Sequence, residues 1–432
     1  MTSLILIIFI VGYLFIALEH KIKINKTAVA LLTGVFCWTV YFISQEKTPV
    51  LSHSLIGYLG DISGILFFLI GAMTIVELID SHDGFEMITS LITTTNKRTL
   101  LWIISFLAFF LSAVLDNLTT TIVFVTLLRK LIPGKKERLL FISMVVIAAN
   151  SGGAWSPIGD VTTTMLWIGN QITTANIIVR LLFPSLFSLI IPLIIVNGTI
   201  KGNVTSQFIA SHDEAKEVNR RAINIRERKI VFFSGIGVLL FVPVFKAITH
   251  LPPFMGMLFG LGLLWLVTEM MHKDKEAGER HQLSVTKALQ RMDMPSVLFF
   301  LGILLAISSL QSTGQLNQLA AIMSRKIGNT NSIAASLGLF SAIVDNVPIV
   351  GAAIGMYPLS QFPTDHSFWE ILSFCAGTGG SILIIGSAAG VAAMGLEKIE
   401  FFWYLRKISW LALIGYFAGI AIYLAEEILM HF

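Results

Sequence analysis

Long runs of apolar residues alternate with short polar connections along the whole chain. A helix needs about 20 mostly apolar residues to cross the roughly 30 Å hydrocarbon core of a bilayer. The runs are continuous and lack the roughly ten-residue alternation of barrel strands, so they predict helices. The predicted spans, five in each half of the chain, are 3–18, 27–44, 57–79, 138–172 and 177–198, then 230–248, 254–271, 294–313, 368–396 and 402–424.

Two further apolar stretches, 99–131 and 331–357, are each interrupted near the middle by an Asp-Asn pair. Each half-segment has only about 12 to 16 residues, which is too short to cross a bilayer. We therefore expect two re-entrant helical hairpins whose tips lie at membrane depth, surrounded by protein or by a water-filled cavity. The tip pairs are Asp116-Asn117 and Asp345-Asn346.

Short motifs of the first half recur in the second half in the same order. The matching segments are 66–69 with 298–301, 112–117 with 341–346, and 149–153 with 376–380. Because five crossings separate equivalent positions, the second copy is predicted to be inverted, as in many secondary transporters. The predicted units are a first repeat over 1–198, a linker over 199–229 and a second repeat over 230–432. The predicted fold class is thus an all-α integral membrane protein with two inverted repeats of five transmembrane helices.

Basic residues cluster in a few connections, which predicts that these connections are cytoplasmic and that the protein lies in the plasma membrane. The predicted cytoplasmic loops are 19–26, 199–229 and 272–293. No basic region precedes the span 3–18, and Glu19-His20-Lys21 follows where a signal peptide would have small residues. We therefore expect a retained first helix.

Composition supports the membrane assignment, since 55% of the residues are hydrophobic and only 13% are charged, against about a quarter charged in soluble domains. The formal net charge of +4 comes from basic residues beside apolar runs, so we expect no nucleic-acid partner. Cys37 and Cys375 lie in apolar runs and are expected to be buried rather than to form a disulfide or bind a metal.

An ionised aspartate near the bilayer centre costs about 2.5 to 3.5 kcal/mol, so the two hairpin tips need compensation. A bound cation supplies it, because hard ions prefer oxygen ligands. A single Ser or Thr in a membrane helix often bonds its own backbone instead, and a Gly-Gly step can mark close helix packing. The candidate ion and proton ligands are Asp116, Asn117, Thr119, Thr120, Asn150, Ser151, Asp345, Asn346, Thr378 and Ser381, with glycines Gly152, Gly153, Gly379 and Gly380 at expected unwound helices.

Two further carboxylates are candidates for proton exchange. Asp160 follows Gly159 in the first half only and is expected to titrate or to cap a helix. Glu77 lies late in the third span and is expected to be interfacial or buried. Desolvation favours the protonated form of a carboxylate and a nearby cation favours the ionised form. Competition between Na+ and a proton for one carboxylate is therefore a sufficient mechanism for antiport.

The motifs around Asp116, Asp160 and Asp345 resemble those of the NhaD-type sodium/proton antiporters of the ion transporter superfamily. The matching segments are 116–121, 150–160, 345–348 and 377–380. The resemblance implies exchange of Na+ or Li+ for H+ without a cofactor, a mobile transport domain with two opposed hairpins, and a scaffold that forms a homodimer. The resulting hypothesis places Na+ at Asp116, Asn117, Asn150, Asp345, Asn346 and Thr378.

Other functions fit the sequence less well. A carrier of dicarboxylate or oxyanion substrates shares the architecture and can receive an anion at helix N-termini, but aspartates stand at both tips. An intramembrane enzyme is not expected, because there is no His-Glu-x-x-His motif and Pro157-Ile158-Gly159-Asp160 departs from the Gly-x-Gly-Asp pattern of aspartyl proteases. A channel is distinguishable by its flux, since it needs no conformational cycle.

Overall fold

The computed structural model describes residues 2–44, 49–89, 92, 94–204, 224–343 and 345–430, and its regular elements are helices apart from one bridge between Asn96 and Asn203. The helices of the first half are α1 (Thr2–Ala17), α2 (Glu19–Ile22), α3 (Lys26–Ser44), α4 (Pro49–Ser81), α5 (Glu86–Thr89), α6 (Lys97–Leu115), α7 (Asn117–Leu131), α8 (Lys135–Ala154), α9 (Val161–Ile168) and α10 (Thr174–Thr199). Those of the second half are α11 (Ile225–Thr249), α12 (Pro253–Met271), α13 (Ala277–Gln282), α14 (Val285–Arg291), α15 (Met294–Ser312), α16 (Gln315–Lys326), α17 (Thr330–Ser341), α18 (Asn346–Met356), α19 (Ser367–Gly379), α20 (Ala388–Glu397), α21 (Phe401–Lys407) and α22 (Ser409–Met430).

Within the described ranges, 8 helices are long and apolar enough to cross a bilayer: α3, α4, α6, α10, α11, α12, α15 and α22. They confirm the predicted spans 27–44, 57–79, 177–198, 230–248, 254–271 and 294–313, and the last predicted span lies mainly in α22. Helix α1 has 16 residues and is shorter. The protein is therefore a multi-pass membrane protein built from helices.

The stretch 99–131 differs from the prediction in the length of its first half. Helix α6 has 19 residues, so the expectation that this half-segment is too short to cross is wrong. The helix begins early because the Asn96 side chain accepts hydrogen bonds from the backbone N–H groups of Arg98 and Thr99. Helices α17 and α18 have 12 and 11 residues, as short as predicted.

Two predicted spans, 138–172 and 368–396, are interrupted rather than continuous. The first consists of α8 and α9, with a non-helical connection over 155–160, and the second of α19 and α20. The second helix of each pair has its own side-chain cap, since Asp160 accepts from the backbone N–H of Thr162 and Ser387 from that of Gly390. Capping satisfies N–H groups that a continuous helix would bond internally.

The helices pack in two groups. Helices α1, α3, α4, α11, α12, α14 and α15 mainly contact one another and are called the α4 group. Helices α6 to α10, α17 to α20 and α22 form the α8 group. Residues 141–154 of α8 and 368–379 of α19 are all buried. The α8 group therefore has its interrupted helices at its centre, and it meets the α4 group mainly through α15 and α18.

The predicted linker 199–229 lies largely outside the described residues. The predicted cytoplasmic loop 272–293 contains the short helices α13 and α14, and α14 packs on α4. Cys37 and Cys375 are both buried free thiols, as expected.

Candidate functional site

Four helices of the α8 group begin close together: α7, α9, α18 and α20. The residue immediately before each helix caps it through its side chain; the caps are Asp116, Asp160, Asp345 and Ser387 respectively. Helix N-termini carry partial positive charge and favour nearby carboxylates. The interruptions in the sequence therefore bring polar side chains and helix ends together inside an otherwise apolar protein.

Asp160 lies at the centre of this arrangement and is buried. The Asn117 amide nitrogen donates to its Oδ2 at 2.6 Å, and the Asn346 amide nitrogen lies 3.4 and 3.3 Å from its two oxygens. The Thr162 hydroxyl and backbone N–H donate to Oδ1 at 2.6 and 2.8 Å. The asparagines of both Asp-Asn pairs therefore contact one carboxylate.

Asn150 connects Asp160's neighbours to the second interrupted helix. Its Oδ1 accepts from the Asn117 amide nitrogen at 2.9 Å, and its own amide nitrogen donates to the Ser381 and Ser387 hydroxyls, each at 2.9 Å. All four side chains are buried. We call Asn117, Asn150, Asp160, Asn346 and Ser381, together with Ser387 and Thr162, the central network.

Asp116 lies beside the central network but bonds within its own helix start. Its oxygens accept from the Thr119 backbone N–H at 2.8 Å and from the Thr119 hydroxyl at 2.9 Å. Its φ is +89°, in the left-handed region, which non-glycine residues adopt only when the surroundings fix it. A cavity of about 50 Å³ is lined by Asp116 and Asn117 among others, so space for a water-sized occupant adjoins this carboxylate.

Asp345 is not part of the central network in this structure. One carboxylate oxygen lies 3.4 Å from the Lys26 ammonium, and the other accepts from the Val347 backbone N–H at 3.3 Å. The two aspartates of the matching Asp-Asn pairs therefore have different partners, whereas their asparagines share one.

The remaining predicted hydroxyls take three different positions. Ser151 accepts from the Ser188 hydroxyl at 2.9 Å, and Thr378 donates to the Phe374 carbonyl of its own helix at 2.6 Å. The Thr120 hydroxyl is buried without a hydrogen-bond partner among the described residues. Ser151 thus connects α8 to α10, Thr378 bonds within its own helix, and the Thr120 oxygen lies close to the tip.

Glu77 lies in a cavity of about 400 Å³ between α4 and α7. Asp80 lines the same cavity, and an Arg291 guanidinium nitrogen is 3.9 Å from the Glu77 carboxylate. Met73 and Leu118 line both this cavity and the smaller one at Asp116. Glu77 is therefore outside the central network, in a cavity adjacent to the one at Asp116.

The predicted glycines allow close contact between backbones. A Cβ added to Gly152 would overlap the Phe109 carbonyl, and one added to Gly379 would overlap the Gly338 carbonyl. Gly153 and Gly380 are close to the carbonyls of Gly159 and Gly386 in the same manner, at 2.5 and 2.9 Å from the added Cβ. The Gly-Gly steps therefore permit tight packing immediately before each helix interruption.

Sequence reasoning missed three residues that the structure places in contact with predicted site residues. Ser387 follows Gly386 as Asp160 follows Gly159, so the internal match already contained its signal. Thr162 is two residues after Asp160, a spacing typical of a cap. Lys26 is 319 residues from Asp345, and no local pattern indicates that contact.

Comparisons with known proteins indicate the family to which the chain belongs. The family described as "Citrate transporter" matches residues 4–377. "Sodium/proton antiporter 1" of Arabidopsis thaliana is 49% identical over 97% of this chain and 71% of the relative. "Sodium/proton antiporter 2" of the same plant is 47% identical over 97% of this chain and 98% of the relative.

A bacterial relative, "Na(+)/H(+) antiporter NhaD" of Vibrio parahaemolyticus, is 30% identical over 91% of this chain and 98% of its own length. The matches extend through both halves of the chain and include both interrupted stretches. The chain therefore belongs to the citrate transporter family and, within it, to the NhaD-type sodium/proton antiporters.

Proposed function

We propose that this protein exchanges Na+ for H+ across its membrane and that the exchanged ions compete at the central network. The observation that carries the proposal is the buried Asp160 carboxylate, which is held by amide and hydroxyl groups from both halves of the chain. Among the contacts of Asp160 in the described part of the chain, none is a basic side chain. A cation or a proton is therefore needed to neutralise it.

Competition gives exchange because one carboxylate is neutralised by either ion. Protonation removes the charge of Asp160, and bound Na+ compensates it with help from neutral oxygens. Asn117, Asn150 and Thr162 bring such oxygens to the site, and Asp116 adds a second carboxylate at the next helix start. We therefore propose Asp116, Asn117, Asn150, Asp160 and Asn346 as the residues that hold the transported cation.

The cavity of about 400 Å³ is the proposed route between this site and one face of the membrane. Glu77 and Asp80 make the route favourable for cations by simple attraction. Motion of the α8 group against the α4 group would close this route and open another, as alternating access requires. The face to which the cavity opens is proposed to be cytoplasmic, because the predicted cytoplasmic residues Arg291 and Asp293 line it.

Inverted repeats with re-entrant hairpins are part of the proposal, with units 1–198, 199–229 and 230–432. Recurring contacts support them, because the Ser112 hydroxyl donates to the Ala149 carbonyl and the Ser341 hydroxyl to the Ala376 carbonyl. In addition, α7 packs on α20 while α18 packs on α9. Each predicted hairpin therefore contacts the interrupted span of the other half. A homodimer in the plasma membrane and transport of Li+ stay predictions.

A carboxylate cargo such as citrate is the second candidate, because the matching family is described by that name. Asp116 and Asp160 would repel such an anion. Three arginines of the α8 group are already paired, Arg129 and Arg138 with Glu397 and Arg180 with Glu370. The geometry therefore favours a cation.

The test is exchange by the purified chain in proteoliposomes that contain a pH-sensitive dye. We expect an imposed pH gradient to collapse on addition of Na+ and not of citrate. Asp160→Asn and Asp116→Asn should abolish or strongly weaken the response, while Asp274→Asn in the exposed loop should not. Citrate uptake without a Na+ response would contradict the proposal, as would full exchange by both Asp160→Asn and Asp116→Asn.

A further inference from the structure

The two Asp-Asn pairs match in sequence but differ in the charge next to the aspartate. Asp116 accepts from the Thr119 backbone and hydroxyl, which are neutral donors. Asp345 instead has the Lys26 ammonium 3.4 Å from its Oδ2. Within the described ranges, therefore, no basic side chain pairs with Asp116, whereas Asp345 has one.

Lys26 is held in place from several sides. Its ammonium lies 4.4 Å from the centroid of the Phe299 ring, a favourable cation–π distance. Its backbone N–H donates to the Glu19 carboxylate at 3.0 Å. The Lys26 and Asp345 side chains are only 22% and 14% exposed. The contact is thus a partly buried pair and not a flexible surface bridge, whose contribution is commonly small.

The space around the pair is small. A cavity of about 40 Å³ is lined by Lys26, Asp345, Tyr13 and Glu19 among others. This volume accommodates one or two water-sized occupants. A free cation at Asp345 would therefore lie immediately beside the Lys26 ammonium and be repelled by it.

We propose that Lys26 is a positioning residue that acts as a tethered counter-cation for Asp345 and thereby excludes Na+ from this tip. The inference rests on the proposed function, since it concerns how many Na+ ions one chain holds. Na+ binding is then confined to Asp160 and Asp116 as long as Lys26 contacts Asp345. The two Asp-Asn pairs thus match in sequence but have unequal capacity for ions.

The proposal also accounts for the location of the lysine. Lys26 begins α3 in the α4 group, whereas Asp345 caps α18 in the α8 group. The counter-charge therefore comes from the helix group that lacks the central network. Removing the lysine leaves Asp345 with its backbone donor at Val347 and an adjoining cavity, which suffices for a small cation.

The test is equilibrium binding of radiolabelled Na+ to the purified full-length chain. Lys26→Gln should bind one more Na+ per chain at saturation than the wild type, and Lys26→Arg should bind as the wild type does. Lys23→Gln, which removes an exposed lysine three residues earlier, is the matched control and should leave the stoichiometry unchanged. Equal stoichiometry in Lys26→Gln and the wild type would overturn the proposal.

A second variant covers the case in which Lys26→Gln does not fold. Asp345→Asn alone should leave Na+ binding at the wild-type level, and loss of Na+ from this variant would overturn the proposal. In the double variant the additional Na+ of Lys26→Gln should disappear. A wild-type chain that binds no Na+ at all contradicts the proposed function instead, so the two failures are distinguishable.

Discussion

Asn150 is the residue through which the two halves of the chain share one polar site. Its amide oxygen accepts from Asn117, and its amide nitrogen donates to Ser381 and Ser387. Losing any of these hydrogen bonds leaves a buried polar group in need of another partner, because an unpaired polar group is costly in a protein interior. The position therefore constrains both halves at once.

Asn150→Ala should weaken Na+ binding and lower the thermal unfolding temperature together. The variant leaves Asn117 and the two serines with unpaired polar groups, and each such group costs about 1 to 3 kcal/mol. Loss of a correctly oriented Asn117 should reduce Na+ affinity by roughly tenfold or more. Calorimetric titration and thermal scans in detergent measure both effects, with the exposed Asn317→Ala as a control. Unchanged affinity would show that Asn150 is only structural.

The sequence contained much of the site at this scale. The Asp-Asn pairs, Asn150 and Asp160 were predicted because polar residues are costly within apolar stretches. Their sharing of one carboxylate was not predictable, since it depends on the angles at which four short helices meet. Asp345 and Thr378 lie apart from that carboxylate for the same reason.

At the scale of helices, the small residues before each interruption determine how close neighbouring backbones come. Gly152→Ala and Gly379→Ala should each destabilise the protein, because the new methyl group would overlap the carbonyls of Phe109 and Gly338. Overpacking of this kind typically costs about 1 to 3 kcal/mol. Gly262→Ala in α12, where nothing lies within 4 Å, should be neutral or stabilising. Equal unfolding temperatures for all three variants would contradict this packing argument.

The ends of α4 and α12 are joined by a pair of buried histidines. The Nε2 atoms of His82 and His272 are 3.3 Å apart, and their rings are stacked with centroids at 5.1 Å. Burial lowers the pKa of His82 from 6.5 to about 4, and it also lowers the pKa of His272. Nearby Lys275 lowers both pKa values and Glu227 raises them.

This pair should make the protein less stable in acid. His82 takes up a proton near pH 6.5 in the unfolded chain and only near pH 4 in the folded chain. The folded state is therefore fully stable above about pH 6.5 and loses stability as the pH falls from about 6.5 to about 4. The unfolding temperature should therefore fall between pH 7.5 and 5, and His82→Gln should flatten the decline. The exposed His281→Gln should keep the wild-type slope; if His82→Gln does so too, the pair is not responsible.

Helix positions were easier to predict than helix continuity. Apolar runs indicate where helices cross the membrane. The breaks at 155–160 and 380–387 depend instead on the caps by Asp160 and Ser387, and without these caps a continuous apolar helix is the alternative. The early start of α6 likewise depends on one Asn96 side chain. Local polar competition with the backbone decides these cases.

For the whole molecule, the division into two helix groups predicts which cross-links stop exchange. The Lys246 ammonium of the α4 group is 3.3 Å from the Asn170 amide oxygen of the α8 group. A short bifunctional thiol reagent across Lys246→Cys/Asn170→Cys should block exchange reversibly while Na+ binding persists.

Thr173→Cys/Asp365→Cys is the matched control, because both residues lie in connections between helices of the α8 group, Thr173 is exposed and Asp365 half-buried, and they contact each other at 2.7 Å. Cross-linking that pair should leave exchange intact. Cys37 and Cys375 are buried and can be replaced to remove background labelling. Full exchange in the first cross-linked variant would mean that the groups need not move against each other.

The unequal pair Asp160 and Ser387 has a consequence for the response to membrane voltage. Moving one elementary charge across a membrane potential of 100 mV changes its free energy by about 2.3 kcal/mol. With a serine at 387, the α8 group has one central carboxylate where full symmetry would give two. With one acid instead of two, this pair of positions contributes half the charge to the electric work of each transport cycle.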